Sequence, residues 1–262
     1  YAFKTQSWLD AKFKYYYLNQ VHRQTDSFYI GILNCIRNNI SLPEALAVCN
    51  NRVAPFSSYV DFQHSPAMAL CSRRKIVSAI NNNVLAILPG RTYKYEAFLR
   101  GKFPRNEFPT EYFLELKVGA KVMLLANKRT DCLISAREYE YVNGDTGIIT
   151  GFDEDRHLII VRLHSGRTVF VQRNCWINYE YDLVEENGEQ RIKAVSVGEF
   201  IQFPIATAYA CTIHKAQGLT LDNIYLMLGQ GCFASGQLYT ALSRVRSLNN
   251  LTLETEIQIT DA

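Results

Sequence analysis

The chain has 262 residues, of which 48% are hydrophobic, 20% charged and 12% aromatic, so global disorder and fibrous architectures are excluded. At roughly 150 residues per domain, this length is one large domain or a domain carrying a second module. Twenty-eight Lys and Arg against 25 Asp and Glu give +3, which neither demands nor excludes a polyanion partner; a nucleic-acid role must come from local placement of charge.

In chain order, residues 15–18 are predicted as a strand. Asp26 is a candidate N-cap for a helix on which Phe28, Ile32, Leu33 and Ile36 recur at helical spacing. A loop around Pro43, a short helix and an irregular stretch through Ser65-Pro66 lead to a buried strand at 68–72. A helix is predicted over 73–88, with Ile76, Ile80, Val84 and Leu88 on one stripe and Pro89-Gly90 as its stop. This alternation predicts an α/β layer with a partly parallel sheet.

From about residue 116 the period changes to two. Strands are predicted at 121–126, 146–152, 157–163 and 167–171, separated by Asn143-Gly144, Asp153-Glu154-Asp155 and Ser165-Gly166. Several short, closely spaced strands predict a small β-barrel or sandwich. The acidic stretch 180–190 reads as a solvated loop. After Phe203-Pro204 the expectation is a helix over 206–215, a buried strand over 223–228, a helix over 235–246 and a strand over 251–257. The organisation is one α/β domain in two parts, 1–115 and 201–262, interrupted by a small β-barrel at 116–200.

The seven Cys and five His are scattered, with no Cys-x-x-Cys and no cluster at zinc-ligand spacing, which fits a reducing compartment with ordinary buried thiols. No apolar run reaches about 18 residues, so no membrane partner is expected. The start, YAFKTQSW, has neither an initiator Met nor a signal-peptide layout, and the chain is expected to be a fragment. The sequence contains no G-x-x-x-x-G-K-[ST], H-E-x-x-H or G-x-S-x-G. One fingerprint does occur, the G-x-G-x-x-A of Gly229 to Ala234, between a predicted strand and helix and with Glu254 on the following strand. That layout suits a dinucleotide, because amides at a helix start attract pyrophosphate. A Gly-rich turn is the alternative, and too few residues follow to complete a nucleotide fold.

Three blocks stand in fixed order: VHRQTDSF at 21–28, ACTIHKAQGLTLD at 210–222 and GQLYTALSRVR at 236–246. Together they resemble motifs IV, V and VI of superfamily 1 helicases, closest to the petite-integration-frequency (Pif) and RecD-like branch. LCSRRKIVSAINN at 70–82 is similar to that family's strand-to-helix segment that touches single-stranded DNA. KVGAKVML at 117–124 and NGDTG at 143–147 resemble the start of its inserted Src-homology-three-like barrel.

The resemblance implies the C-terminal part of an ATP-dependent DNA helicase of replication and repair: a RecA-like second motor domain with an inserted barrel, moving 5′ to 3′ on single-stranded DNA. The N-terminal RecA-like domain, with its Walker lysine and acidic pair, is not in this sequence. It is the implied partner and the main holder of ATP and Mg²⁺, so this chain alone is expected to lack ATPase activity. The implied location is cytoplasmic in a bacterium, nuclear or mitochondrial in a eukaryote.

By the same resemblance Arg23 and Arg244 are arginine fingers, and Gln24, Gly218 and Gln237 are nucleotide contacts. A guanidinium suits the first task because it is permanently charged and donates as a fork. Gln237, Thr240 and Arg244 recur at i, i+3 and i+7, so Arg244 is expected to face away from its own core. Thr212, His214, Lys215 and Gln217, expected at a helix end, and Ser72 and Arg73, at a strand-to-helix junction, are the implied DNA contacts. Their hydroxyl, imidazole, cationic and amide groups bind phosphate and sugar without reading bases. Trp176, Tyr179 and Tyr181 in the insertion suit either base stacking or packing. A non-catalytic single-stranded DNA-binding module and a dinucleotide-binding protein through Gly229–Ala234 stay open as alternatives.

Overall fold

A computed structural model describes residues 2–17, 20–130, 138–186 and 189–261. Its first part holds helices α1 (Gln6–Asp10), α2 (Ser27–Asn38), α3 (Leu42–Asn50) and α4 (Tyr59–His64), strand β1 (Met68–Cys71) and helix α5 (Arg74–Ile87). Short strands follow: β2 (Tyr93–Glu96), β3 (Phe98–Gly101), β4 (Phe113–Leu116), β5 (Lys121–Leu124) and β6 (Lys128–Arg129). After them come β7 (Tyr139–Tyr141), β8 (Thr146–Asp153), β9 (Leu158–Leu163) and β10 (Thr168–Val171). A long hairpin, β11 (Asn174–Glu186) and β12 (Glu189–Gln202), leads to β13 (Ile205–Thr207) and β14 (Ala210–Thr212). The chain closes with β15 (Ile224–Met227), α6 (Gln237–Leu242) and β16 (Leu251–Leu253).

Four strands, in the order β14-β1-β15-β16, form a parallel sheet. Its two central strands, MALC and IYLM, are buried along their whole length, as strands covered on both faces must be. Alternate residues point to opposite faces. Met68, Leu70, Ile224 and Leu226 join one core with Tyr29, Ile32, Leu33 and Ile36 of α2 and Leu238, Ala241 and Leu242 of α6. Ala69, Cys71, Tyr225 and Met227 join a second core, shared with Ile80 and Val84 of α5 and with Val122, Ile149, Val161 and Ile205 of the inserted strands. The result is a mixed α/β fold in which the insertion is fused to one sheet face by common packing.

The inserted strands make a five-stranded antiparallel sheet, β10-β9-β8-β5-β13, beside β11-β12-β3 and the pair β2-β4. These sheets draw on strands from Tyr93 to Thr207, beyond the predicted limits of 116 and 200 at both ends.

Several local expectations are corrected. Tyr15, Tyr16 and Tyr17 are exposed and form no strand; residue 18 lies outside the described residues. Asp26 does cap α2, accepting the amides of Phe28 and Tyr29, but Phe28 is 62% exposed while Tyr29 is buried. Pro43 sits in the first turn of α3, where its missing N–H is tolerated. Stretch 180–190 is strand rather than loop apart from 187–188, which lie outside the described residues. Cys175 is exposed rather than buried, and Cys132 lies outside the described residues.

The helix predicted over 206–215 is replaced by β13 and β14, because β14 pairs with β1 and its outward groups find a partner. Buried Asn81 of α5 donates to the Ala210 carbonyl at 3.0 Å and accepts the Ala210 amide at 2.9 Å, closing the open edge of the sheet. Long-range pairing thereby overrides local propensity. Asn81→Ala strands both groups of Ala210 and should lower unfolding stability by about 2–4 kcal/mol, read as a reduced urea midpoint at unchanged m-value. A midpoint shifted by less than about 0.5 kcal/mol would contradict this role.

Candidate functional site

β1, β14 and β15 end level with one another, Cys71 lying opposite Thr212 on one side and Met227 on the other. The residues that follow these ends therefore share one rim, and in parallel α/β sheets the crevice beyond the carboxyl ends is where ligands bind. Ser72 follows β1, but its buried hydroxyl donates to the Leu228 carbonyl at 2.7 Å and ties two strand ends together instead of facing outward. Arg73 precedes α5 and is exposed.

The segment after β14 is a turn rather than a helix end. Thr212 is buried and organises that turn: its Oγ1 accepts the Lys215 amide at 3.2 Å and its carbonyl accepts the Ala216 amide at 3.1 Å. His214, Lys215 and Gln217 project from the turn into solvent. The His214 ring lies against that of Phe233, with centroids 5.7 Å apart and an interplanar angle of 27°. Gly218, at φ +85°, occupies the left-handed region that closes the turn and that a side chain would strain.

The two arginines meet at the end of α6. Arg23 donates from Nε to Thr220 Oγ1 and from Nη1 to the Ser243 carbonyl, both at 3.1 Å. Gln24 is buried and donates to the Ser243 and Val245 carbonyls at 3.0 and 2.9 Å, while the Tyr29 hydroxyl donates to the Leu242 carbonyl at 2.7 Å. Arg244 does not face away from its core as expected: only 8% exposed, it folds back along α6. Its Nε donates to the Thr240 carbonyl at 2.7 Å, Nη2 to Ser243 Oγ at 2.7 Å, and Nη1 to the Ala216 and Leu219 carbonyls at 3.4 and 3.3 Å. The planar fork matches the carbonyls that the 213–218 turn turns toward it.

Burial, and then the neighbouring Arg23 charge, push the Arg244 guanidinium below the usual arginine range. Among the described residues, neither arginine makes an ion pair with a carboxylate. Two partly desolvated positive charges held only by neutral acceptors form a place suited to an anion.

Gln237, expected on a solvated face, is 4% exposed; its Oε1 accepts the Phe233 amide at 3.1 Å and its Nε2 has no partner among the described residues. The glycine loop before it has the strand–turn–helix layout but lacks a dinucleotide's anion site. Asp261 Oδ1 already accepts the Cys232 amide at 3.0 Å, and a Cβ on Gly231 would stand 2.5 Å from that oxygen. A carboxylate there repels the pyrophosphate that the motif requires.

Two other features bear on the site. A Cβ on Gly144 would stand 2.3 Å from Leu219 Cδ2, so the turn before β8 presses on the segment that carries Gly218. Trp176 packs at 5.9 Å from Phe200, whereas Tyr179 and Tyr181 are exposed on β11. Tyr29, Thr220, Phe233 and Ser243 were not singled out by the sequence reading. The partners of Tyr29, Thr220 and Ser243 lie up to 220 residues away, and no spacing rule reaches that far.

No protein-family model matches the chain. ATP-dependent DNA helicase PIF1 of Homo sapiens is 33% identical over 261 residues, covering 96% of this chain and 36% of the human protein. The structure of unliganded Pif1 from Bacteroides sp. aligns with a TM-score of 0.72 and 32% identity, over 92% of this chain and 52% of that one. A crystal structure of Bacteroides Pif1 bound to single-stranded DNA aligns with a TM-score of 0.66 and 33% identity, over 91% of this chain and 51% of that one. The chain thus spans about a third of the human relative and about half of the Bacteroides protein.

Asp261 also accepts the Gln258 amide at 2.9 Å, so it holds two backbone segments at once. Asp261→Ala should destabilise the fold by about 1–3 kcal/mol and accelerate hydrogen exchange at Cys232 and Gln258 before the parallel sheet opens. Exchange at these amides that tracks global unfolding in both proteins would refute the clamp.

Proposed function

We propose that this chain, homologous over 96% of its length to Pif1-family ATP-dependent DNA helicases, is the second RecA-like motor domain of such an enzyme with its barrel insertion. In the intact protein it couples ATP hydrolysis to 5′ to 3′ movement along single-stranded DNA. One observation carries the reading: the segment 212–220 touches both halves of the site. At one end it presents His214, Lys215 and Gln217 to solvent, and at the other its Thr220 hydroxyl and Ala216 and Leu219 carbonyls hold Arg23 and Arg244.

Each half has a physical task. Phosphoryl transfer leaves charge on the phosphate oxygens, which Arg23 and Arg244 stabilise from the facing domain. Because their present partners are neutral, either guanidinium can exchange a carbonyl for a phosphate oxygen without breaking an ion pair. Gln24, which shares the Ser243 carbonyl with Arg23, acts as a positioning residue. Gln237, at the start of α6, keeps a buried amide N–H without a partner among the described residues, and Gly218 lets the turn bend. Arg73, Lys215, His214 and Gln217 hold the sugar–phosphate chain, a contact that needs no base sequence and tolerates stepping. A shift of either arginine moves the turn that holds it, and so moves the DNA contacts.

The upstream domain supplies the phosphate loop for ATP. Among the described residues no three His, Cys, Asp or Glu side chains gather to hold a metal ion. No helix of the described chain is long and apolar enough to cross a membrane.

The test uses the protein with its upstream domain. Arg23→Ala and Arg244→Ala should each lower single-strand-stimulated ATP hydrolysis by about 10³–10⁵-fold with DNA affinity retained. Lys215→Ala should instead weaken DNA binding and flatten its log–log salt dependence by about 0.7. Wild-type rates in both arginine variants, with DNA binding intact, would favour a non-catalytic binding module.

A further inference from the structure

The site leaves one exposed aromatic without a task. Phe233 is 58% exposed. Its surroundings are built rather than loose. The amide of Cys232 is bound by Asp261 Oδ1 at 3.0 Å, and the amide of Phe233 by Gln237 Oε1 at 3.1 Å, so both peptide groups ahead of the ring are held by buried side chains. Gly231, at φ +90°, adds a bend with no room for a side chain.

The ring is also placed among the polar groups already described. One of its neighbours is His214, stacked at 5.7 Å, and His214 adjoins Lys215 on the turn. The other end of the loop reaches the helix that follows Arg73: a Cβ on Gly229 would stand 3.0 Å from Ile76 Cδ1 in the first turn of α5. Phe233 thus stacks on a residue next to exposed Lys215, and the loop that carries it also reaches the helix that follows exposed Arg73.

We propose that Phe233, backed by the His214 ring, is a stacking platform for one unpaired base of the strand whose phosphates Lys215 and Arg73 hold. The inference rests on the DNA-binding reading above and adds a contact that reading does not contain. Every nucleobase has a π-face, so a stacking residue strengthens binding without selecting sequence. A rigid backbone and a second ring already in place reduce the ordering entropy that stacking would otherwise require. The cationic flanks favour a nucleic acid over an apolar protein segment, since charge is depleted at the centre of protein–protein interfaces.

The experiment measures binding of the full 262-residue chain to a fluorescent oligothymidylate and to the same oligomer with abasic units, by anisotropy. The wild type should prefer the base-bearing strand by about 5- to 100-fold, the range for one stacked base. Phe233→Ala and Phe233→Leu should abolish that preference with the salt dependence unchanged, while Phe233→Trp retains it. Lys215→Ala should do the reverse, flattening the salt dependence but keeping the preference for bases. Thermal melting of each variant shows whether the exposed position can be changed without unfolding. An equal preference in wild type and Phe233→Ala, or a Leu variant equal to wild type, overturns the platform and leaves the phosphate-binding reading standing. No binding of either strand by the folded wild type overturns both.

Discussion

A helix of six residues cannot close its own carbonyls, and much of this molecule is arranged around that deficit. α6 ends at Leu242 with its last carbonyls lacking intrahelical partners. The carbonyls at its end and just beyond it are satisfied by side chains more than 200 residues upstream: Tyr29 on Leu242, Arg23 and Gln24 on Ser243, and Gln24 again on Val245. Arg244 folds back to take the Thr240 carbonyl and Ser243 hydroxyl. One local shortage thereby gathers the first and third sequence blocks, and it sets two guanidinium groups side by side without an acid between them.

The second block enters through the same carbonyl chemistry. Its turn is pinned from within by Thr212 and from without by Arg244, so its outer face can carry His214, Lys215 and Gln217 in defined positions. Leu219 on that turn is pressed by Gly144, which brings the inserted strands into contact with the site. The insertion is therefore a structural part of the site's support, sharing a core with α5 and one face of the parallel sheet.

Charge placement separates the readings that spacing alone left open. Where a dinucleotide would need bare amides, that of Cys232 is taken by Asp261 and that of Phe233 by Gln237. Where a phosphoryl group would need positive charge, Arg23 and Arg244 have only carbonyl and hydroxyl partners in the bonds they make. An overall charge of +3 is compatible with a polyanion partner because the relevant cations lie on one rim.

Of the parallel sheet, β1, β15 and β16 were legible as hydrophobic periods, as were α2, α5 and the inserted strands β5, β8, β9 and β10, since their apolar faces must be buried wherever they pack. The three blocks were legible through their resemblance to helicase motifs, and the structure brings residues of all three together. Orientation was not legible. Arg244 was expected to point outward because helical spacing put it opposite Leu238 and Leu242, yet a turn from elsewhere in the chain covers that face. Ser72 and Thr212 were expected to contact DNA, yet the Ser72 hydroxyl ties two strand ends together and the Thr212 hydroxyl caps its own turn. The segment 206–215 was expected to be a helix, yet Asn81 and β1 satisfy its backbone as strand. Residue chemistry and periodicity are properties of a short stretch of chain, so they survive without tertiary context. The partner of a particular donor or acceptor depends on which distant segment is packed against it, and here only the assembled sheet and the unfilled end of α6 settle that.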